Sequence, residues 1–106
     1  MILSKRILDL LMNGRSFKKN YPMVDRFETE VLWDGDKELP SYKIRVIVFL
    51  NDPEINHKNF YQKEIDPHWL VFTHLMDLLT KIGVKRGEVD QIYTQMYDTN
   101  AELIWG

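Results

Sequence analysis

Paired carboxylates are plentiful in this chain, as a solvated strand face supplies by default, but the imidazoles and thiols that ligate metals or move protons are few. Cysteine is absent, and His57, His68 and His74 are the only imidazoles. His68 and His74 are six positions apart, about 240° around a helix axis, so they cannot share a ligand face. Helical zinc motifs instead place their ligands at i, i+4 or similar spacing. Glu64, Asp66 and His68 are the nearest approach to a composite cation site. Asp66 before Pro67 reads more simply as a helix cap, with His68 in the polar first turn. Asp34-Gly35-Asp36 begins like a calcium loop but lacks the later ligands and terminal glutamate; a turn between strands explains the same residues. No Gly-x-Ser-x-Gly elbow is present, and Ser4, Ser16 and Ser41 read as cap or loop residues. Gly14, Gly35, Gly83, Gly87 and Gly106 are scattered, so no phosphate-cradling loop is expected. The expectation is a protein that is not an enzyme, without catalytic residues, metal or cofactor.

Length and composition set the frame in which any other function must work. The chain has 106 residues, which allows one domain over 1–106 and one hydrophobic core. An aromatic content of 12% helps a core this small offset chain entropy. Without cysteine there are no disulfides, which favours a reducing compartment, and a cytoplasmic location is expected. Lys5 and Arg6 interrupt the apolar start, unlike a signal peptide. The longest apolar run, Val46 to Leu50, is strand-sized, so no membrane span is expected. The formal net charge is −2, with bases concentrated in the first 20 residues. That balance does not suit a duplex-binding surface, and no direct nucleic-acid contact is expected.

Hydrophobic periodicity then supplies the elements. Leu3, Ile7, Leu10 and Leu11 form a helical stripe, with Asn13-Gly14 as its stop and 15–22 as a basic connection. From Phe27 to Trp33 the period becomes two: Phe27, Thr29, Val31 and Trp33 share one face, and Glu28, Glu30 and Leu32 the other. Asp34-Gly35 opens a turn, Asp36 to Ser41 form an irregular return, and Tyr42 to Leu50 make a second strand. The β-branched half of that strand predicts burial on both faces and a central position. Residues 51–65 are hard to read, with Phe60 to Ile65 a candidate short edge strand. Asp66-Pro67 starts a second helix that buries Leu70, Val71, Leu75, Leu78, Leu79 and Ile82, widens to Trp69, Phe72 and Met76, and ends at Gly83. After it, Val89, Ile92, Tyr93 and Met96 fit a helix. A hairpin of Gln91 to Tyr97 with Ala101 to Trp105 is preferred, because aromatic and β-branched residues favour strands. The predicted fold is α+β, a mainly antiparallel sheet of four to five strands with two helices, in the order α-β-β-(β)-α-β-β.

Two surface clusters suit binding better than chemistry. From Asp25 to Glu38 there are six acids against Arg26 and Lys37. Such a field steers association with a basic partner, although charges on an edge strand also prevent unwanted strand pairing. An aromatic group, Phe60, Tyr61, Trp69 and Phe72, adjoins the long loop. Trp69 and Phe72 are expected in the core, which leaves Tyr61 and His57 as interface candidates. The predicted partner-binding set is therefore Glu28, Glu30, Asp34, Asp36, Glu38, His57 and Tyr61.

The segments Phe27-Glu-Thr-Glu-Val-Leu-Trp-Asp-Gly-Asp36 and Gln91-Ile-Tyr-Thr-Gln-Met-Tyr97, with the size, cysteine-free acidic composition and element order, resemble the immunity proteins of bacterial contact-dependent growth-inhibition systems. The resemblance implies a cytoplasmic antidote that binds a cognate toxin domain, often a nuclease, and occludes it. Its acids would then face the basic surface the toxin uses for RNA or DNA. Two other readings remain at this level. One is a phage- or plasmid-encoded regulatory or inhibitory binding module, or a homo-oligomeric domain. The other is a small enzyme, which needs a pocket lined by groups of perturbed acidity.

Overall fold

The computed structural model describes residues 3–63 and 66–106. Helices α1 (Lys5–Met12) and α2 (Arg15–Asn20) precede a long hairpin of β1 (Val24–Gly35) and β2 (Pro40–Leu50). A 3-10 turn (Phe60–Lys63) leads to α3 (Pro67–Lys81), and a second one (Arg86–Glu88) to β3 (Val89–Tyr97) and β4 (Leu103–Trp105). The fold is α+β. Its sheet has the order β1-β2-β3-β4, antiparallel at both outer junctions and parallel between β2 and β3. The parallel pair follows from the chain path, because 51–88 with α3 carries the chain back to the end where β2 began.

The core lies between one sheet face and the helices. Ile44, Val46 and Val48 from β2 and Ile92 and Met96 from β3 meet Leu8 and Met12 of α1, Phe17 of α2 and Leu70, Val71, Leu75 and Leu79 of α3. Asp66 caps α3 by accepting from the Trp69 amide at 3.0 Å, with Pro67 at the first helical position. The long loop is pinned by buried Ile55 and Phe60 and closed by Asn56, whose side chain accepts from the Lys58 amide at 2.9 Å. The β3–β4 turn is organised by buried Asp98, whose Oδ1 accepts from the amides of Asn100 and Glu102, both at 2.9 Å.

Several expectations are corrected. Residues 15–20 form a helix, because Phe17 is held in the core against Phe27, Tyr21 and His74. The stripe of α1 is rotated: Leu8 and Met12 are buried, whereas Leu10 is 69% exposed. Gly14 has a φ of −69° and starts α2, with no left-handed cap. Ser41 lies within β2, in the strand rather than a loop. Strand β2 is central but buried on one face only, the other staying half-exposed. Phe60–Lys63 is a 3-10 turn where an edge strand was expected; Ile65, the end of that segment, lies outside the described residues. Residues 89–97 are a strand, as the preferred hairpin requires, though β4 pairs with only Met96 and Tyr97.

Helix α1 is attached to the outer edge of β1 by polar side chains. Asn13 Oδ1 accepts from the Phe27 amide at 2.8 Å, and Asn13 Nδ2 donates to the Phe27 carbonyl at 3.0 Å. Two strand positions on, Asp9 Oδ1 accepts from the Thr29 amide at 2.8 Å and from Thr29 Oγ1 at 2.7 Å. Lys5 Nζ completes the set, donating to the Thr29 carbonyl at 3.1 Å and to Asp9 Oδ2 at 2.9 Å. Burial alone would raise the Asp9 carboxyl, but the hydrogen bonds from Lys5 and Thr29 outweigh it and hold the group below its ordinary value.

Asn13→Ala and Asp9→Ala are each expected to lower stability by about 1–3 kcal/mol in denaturant titration, because edge groups lose their partners. Lys5→Met is expected to cost less, because that ammonium is mostly solvated. A second expectation concerns pH. His74 is half-buried against Phe17, its Nε2 has no hydrogen-bond partner, and desolvation pushes its pKa below the ordinary 6.5, with Asp77 opposing and Lys81 reinforcing the shift. The unfolded chain then binds the proton first. This contribution to stability is complete above pH 6.5 and is lost as pH falls from there towards the lower folded value. Asp9 acts in a separate window, below 3.8. Thermal unfolding of His74→Phe against the parent between pH 8 and 5 should show the step only in the parent.

Candidate functional site

The predicted site residues fall into three groups that the fold keeps apart. Glu28 and Glu30 lie on the open face of the sheet, and both are ion-paired. Glu30 meets Arg45 at 3.3 Å across the strands, and Glu28 meets Arg26 at 3.7 Å. Arg26 also lies over the Phe49 ring at 4.0 Å, and Phe49 stacks on Tyr97 at 5.6 Å. Lys43 meets Asp90 at 3.7 Å, so opposite charges alternate across this face. Its acids therefore contribute little uncompensated field.

Asp34, Asp36 and Glu38 are different. They are exposed at the end of the β1–β2 hairpin, and none makes an ion pair among the described residues. Gly35 makes the turn there with a φ of +73°, and an added Cβ would stand 2.7 Å from the Ser41 amide nitrogen. Asp36 N donates to the Leu39 carbonyl at 3.3 Å, which closes the tip.

His57 and Tyr61 lie at the other end of the sheet. His57 Nδ1 is 3.8 Å from a Glu102 carboxylate oxygen in the β3–β4 turn, and Tyr61 is exposed with its ring against Phe60. The whole length of β2, about 35 Å at 3.3 Å per residue, separates this end from the hairpin tip. The acids and the loop residues therefore do not form one surface.

Three apolar residues at the acidic end were not among the predicted set. Trp33 is 59% exposed, Leu39 is 77% exposed and Leu32 is also exposed. The alternation from Phe27 places Trp33 inward, but a bulge intervenes. Val31 pairs with Ile44 and Trp33 with Lys43, so two residues of β1 advance against one of β2 and the parity flips. Trp33 thus shares the open face with Lys43. Beside it, Leu32, Lys43, Arg45, Tyr93 and Gln95 line a shallow cleft of about 430 Å³. A tryptophan next to a turn of unpaired acids is the type of anchor and rim found in protein interfaces.

No protein-family model, curated protein or solved structure matches this chain. Among the described residues, no three His, Asp or Glu side chains converge as a metal site would require; Glu64, of the Glu64–Asp66–His68 grouping, lies outside them. No described helix is long and apolar enough to cross a membrane.

Trp69, expected in the core, is 63% exposed. The burying arc of α3 runs through Leu70, Val71, Leu75 and Leu79, and Trp69 sits beyond its margin. Trp33→Ala and Trp69→Ala should each change unfolding free energy by less than about 1 kcal/mol. Phe17→Ala, by contrast, is expected to cost about 3–5 kcal/mol in the same urea titration.

Proposed function

We propose that this protein acts by binding another protein through the hairpin end of its sheet, as an antidote that covers a basic surface of a toxin domain. The observation that carries the reading is the juxtaposition at the tip of exposed Trp33 and Leu39 with the unpaired carboxylates Asp34, Asp36 and Glu38. The acids set the sign of the partner and speed encounter. The indole supplies the contact that holds the complex once formed. The cleft beside Leu32 and Tyr93 offers a recess for one partner side chain. The immunity-protein resemblance supports the same direction, since a nuclease domain presents a basic surface to its substrate.

The deciding experiment is co-expression with the product of the neighbouring gene, reading both complex formation and protection of growth. Asp34→Lys, Asp36→Lys and Glu38→Lys together should slow association about tenfold at low ionic strength, with the difference shrinking at high salt. Trp33→Ala should instead speed dissociation, by about tenfold or more. Unchanged binding and protection in both variants, with unfolding also unchanged, would remove the hairpin from the function.

A further inference from the structure

The two outer edges of the sheet are treated differently. Beyond β1, α1 satisfies the amide and carbonyl of Phe27 and of Thr29 with side chains. Beyond β3, the described chain offers a partner only at the far end. Strand β4 pairs with Met96 and Tyr97, and Gly106 lies against Thr94 and Gln95. Val89 to Tyr93 therefore have no strand on their outer side among the described residues. An unpaired run of peptide groups is a template for another strand.

This open stretch is also the wall of a groove. Phe72 and Met76 of α3 face it across a recess of about 210 Å³, with Val89 and Ile92 on the strand side. Arg86 stands at the end of the groove where β3 begins, its guanidinium 5.7 Å from the centre of the Phe72 ring. It makes no ion pair among the described residues.

From this arrangement we infer that the β3 edge takes an extended segment of a partner chain, added antiparallel, that carries an apolar side chain and a carboxylate two residues further on. Alternate residues of a strand face the same side, about 7 Å apart, so the apolar group enters the recess while the acid reaches Arg86. Main-chain hydrogen bonds to Val89–Tyr93 supply affinity, and the two side chains supply selectivity. Charge decides against a second copy of this chain as the occupant. Antiparallel pairing of two β3 edges about Gln91 sets Asp90 against Ile92 of the second copy and leaves both Arg86 groups without a counter-charge.

The test uses fluorescent heptapeptides Thr-Val-Thr-X-Thr-Glu-Thr, with X as Leu, Ile, Phe or Trp, and matched peptides with Lys replacing Glu. Anisotropy should show at least one glutamate peptide binding with a Kd below about 100 μM, and its lysine counterpart about tenfold weaker. N-methylation of the peptide amides flanking X should abolish binding, and Arg86→Glu should reverse the preference between glutamate and lysine. Amide shift changes should map to Val89–Tyr93. The lysine triple variant of the hairpin tip should bind these peptides as the parent does, which separates this edge from the hairpin reading. Absence of binding by every glutamate peptide would overturn the inference, as would a charge preference that survives Arg86→Glu. So would a dimer by sedimentation whose amide protection covers Gln91–Tyr93.

Discussion

The sheet depends on how the outer edge of β1 is closed. A strand at the edge of a sheet carries a peptide group at every second position with no strand to pair with. Here α1 acts in place of that strand. The carboxamide of Asn13 offers one acceptor and one donor to Phe27, the pair a neighbouring peptide would offer. Asp9 and Lys5 divide the same two roles at Thr29. The geometry works because the repeats nearly match. Asp9 and Asn13 are one helical step of four residues apart, about 6 Å, and Phe27 and Thr29 are two strand residues apart, about 6.7 Å. This fixes α1 along β1, and Leu8 and Met12 then enter the core at one depth only.

That closure makes the sheet directional. Side chains of α1 cover β1 at Phe27 and Thr29, whereas β3 is covered only at its last residues, so Val89 to Tyr93 are left without a comparable cover among the described residues. The parallel junction has a second consequence. Because β2 and β3 run together, the hairpin tip and the start of β3 lie at one end, and the long loop and the β3–β4 turn at the other. His57 to Glu102 and the Phe60 to Trp105 ring contact tie that second end together. Turn, cleft and open edge are therefore gathered at the opposite end, where Lys43 and Asp90 pair across β2 and β3.

Legibility in the sequence follows from how local each cause is. Helix α3 could be read because Asp66, Pro67 and the following apolar spacing all act within one segment. The β3–β4 hairpin could be read for a similar reason, since its turn is made by Asp98 and its immediate neighbours. Helix α2 could not, because a six-residue segment with one apolar side chain is helical only through what Phe17 touches elsewhere. The open face of β2 misled in the opposite sense. Ile47 and Phe49 look like core residues, yet Phe49 is covered by Arg26 and Tyr97 on the surface, with no second layer among the described residues. The acids of the candidate site were visible as composition. The apolar anchor beside them was not, because a bulge between Val31 and Trp33 is a property of two strands in register and leaves no mark in either alone.

The same bulge explains why the hairpin end differs chemically from the rest of the open face. Where the pairing is regular, cations and acids lie opposite one another and neutralise, as Arg45 and Glu30 do. Past the bulge the register no longer sets acid against base, so Trp33 meets Lys43 and the turn acids extend beyond the strands. Exposed indole and leucine side chains invite self-association, and like charges around them oppose it. Under the proposed reading, the carboxylates placed to steer a basic partner would also oppose pairing of the free protein with itself through the same end. A surface that is apolar at its centre and net acidic at its rim, with Asp34, Asp36 and Glu38 against Lys37, disfavours its own copies and favours a partner of opposite charge.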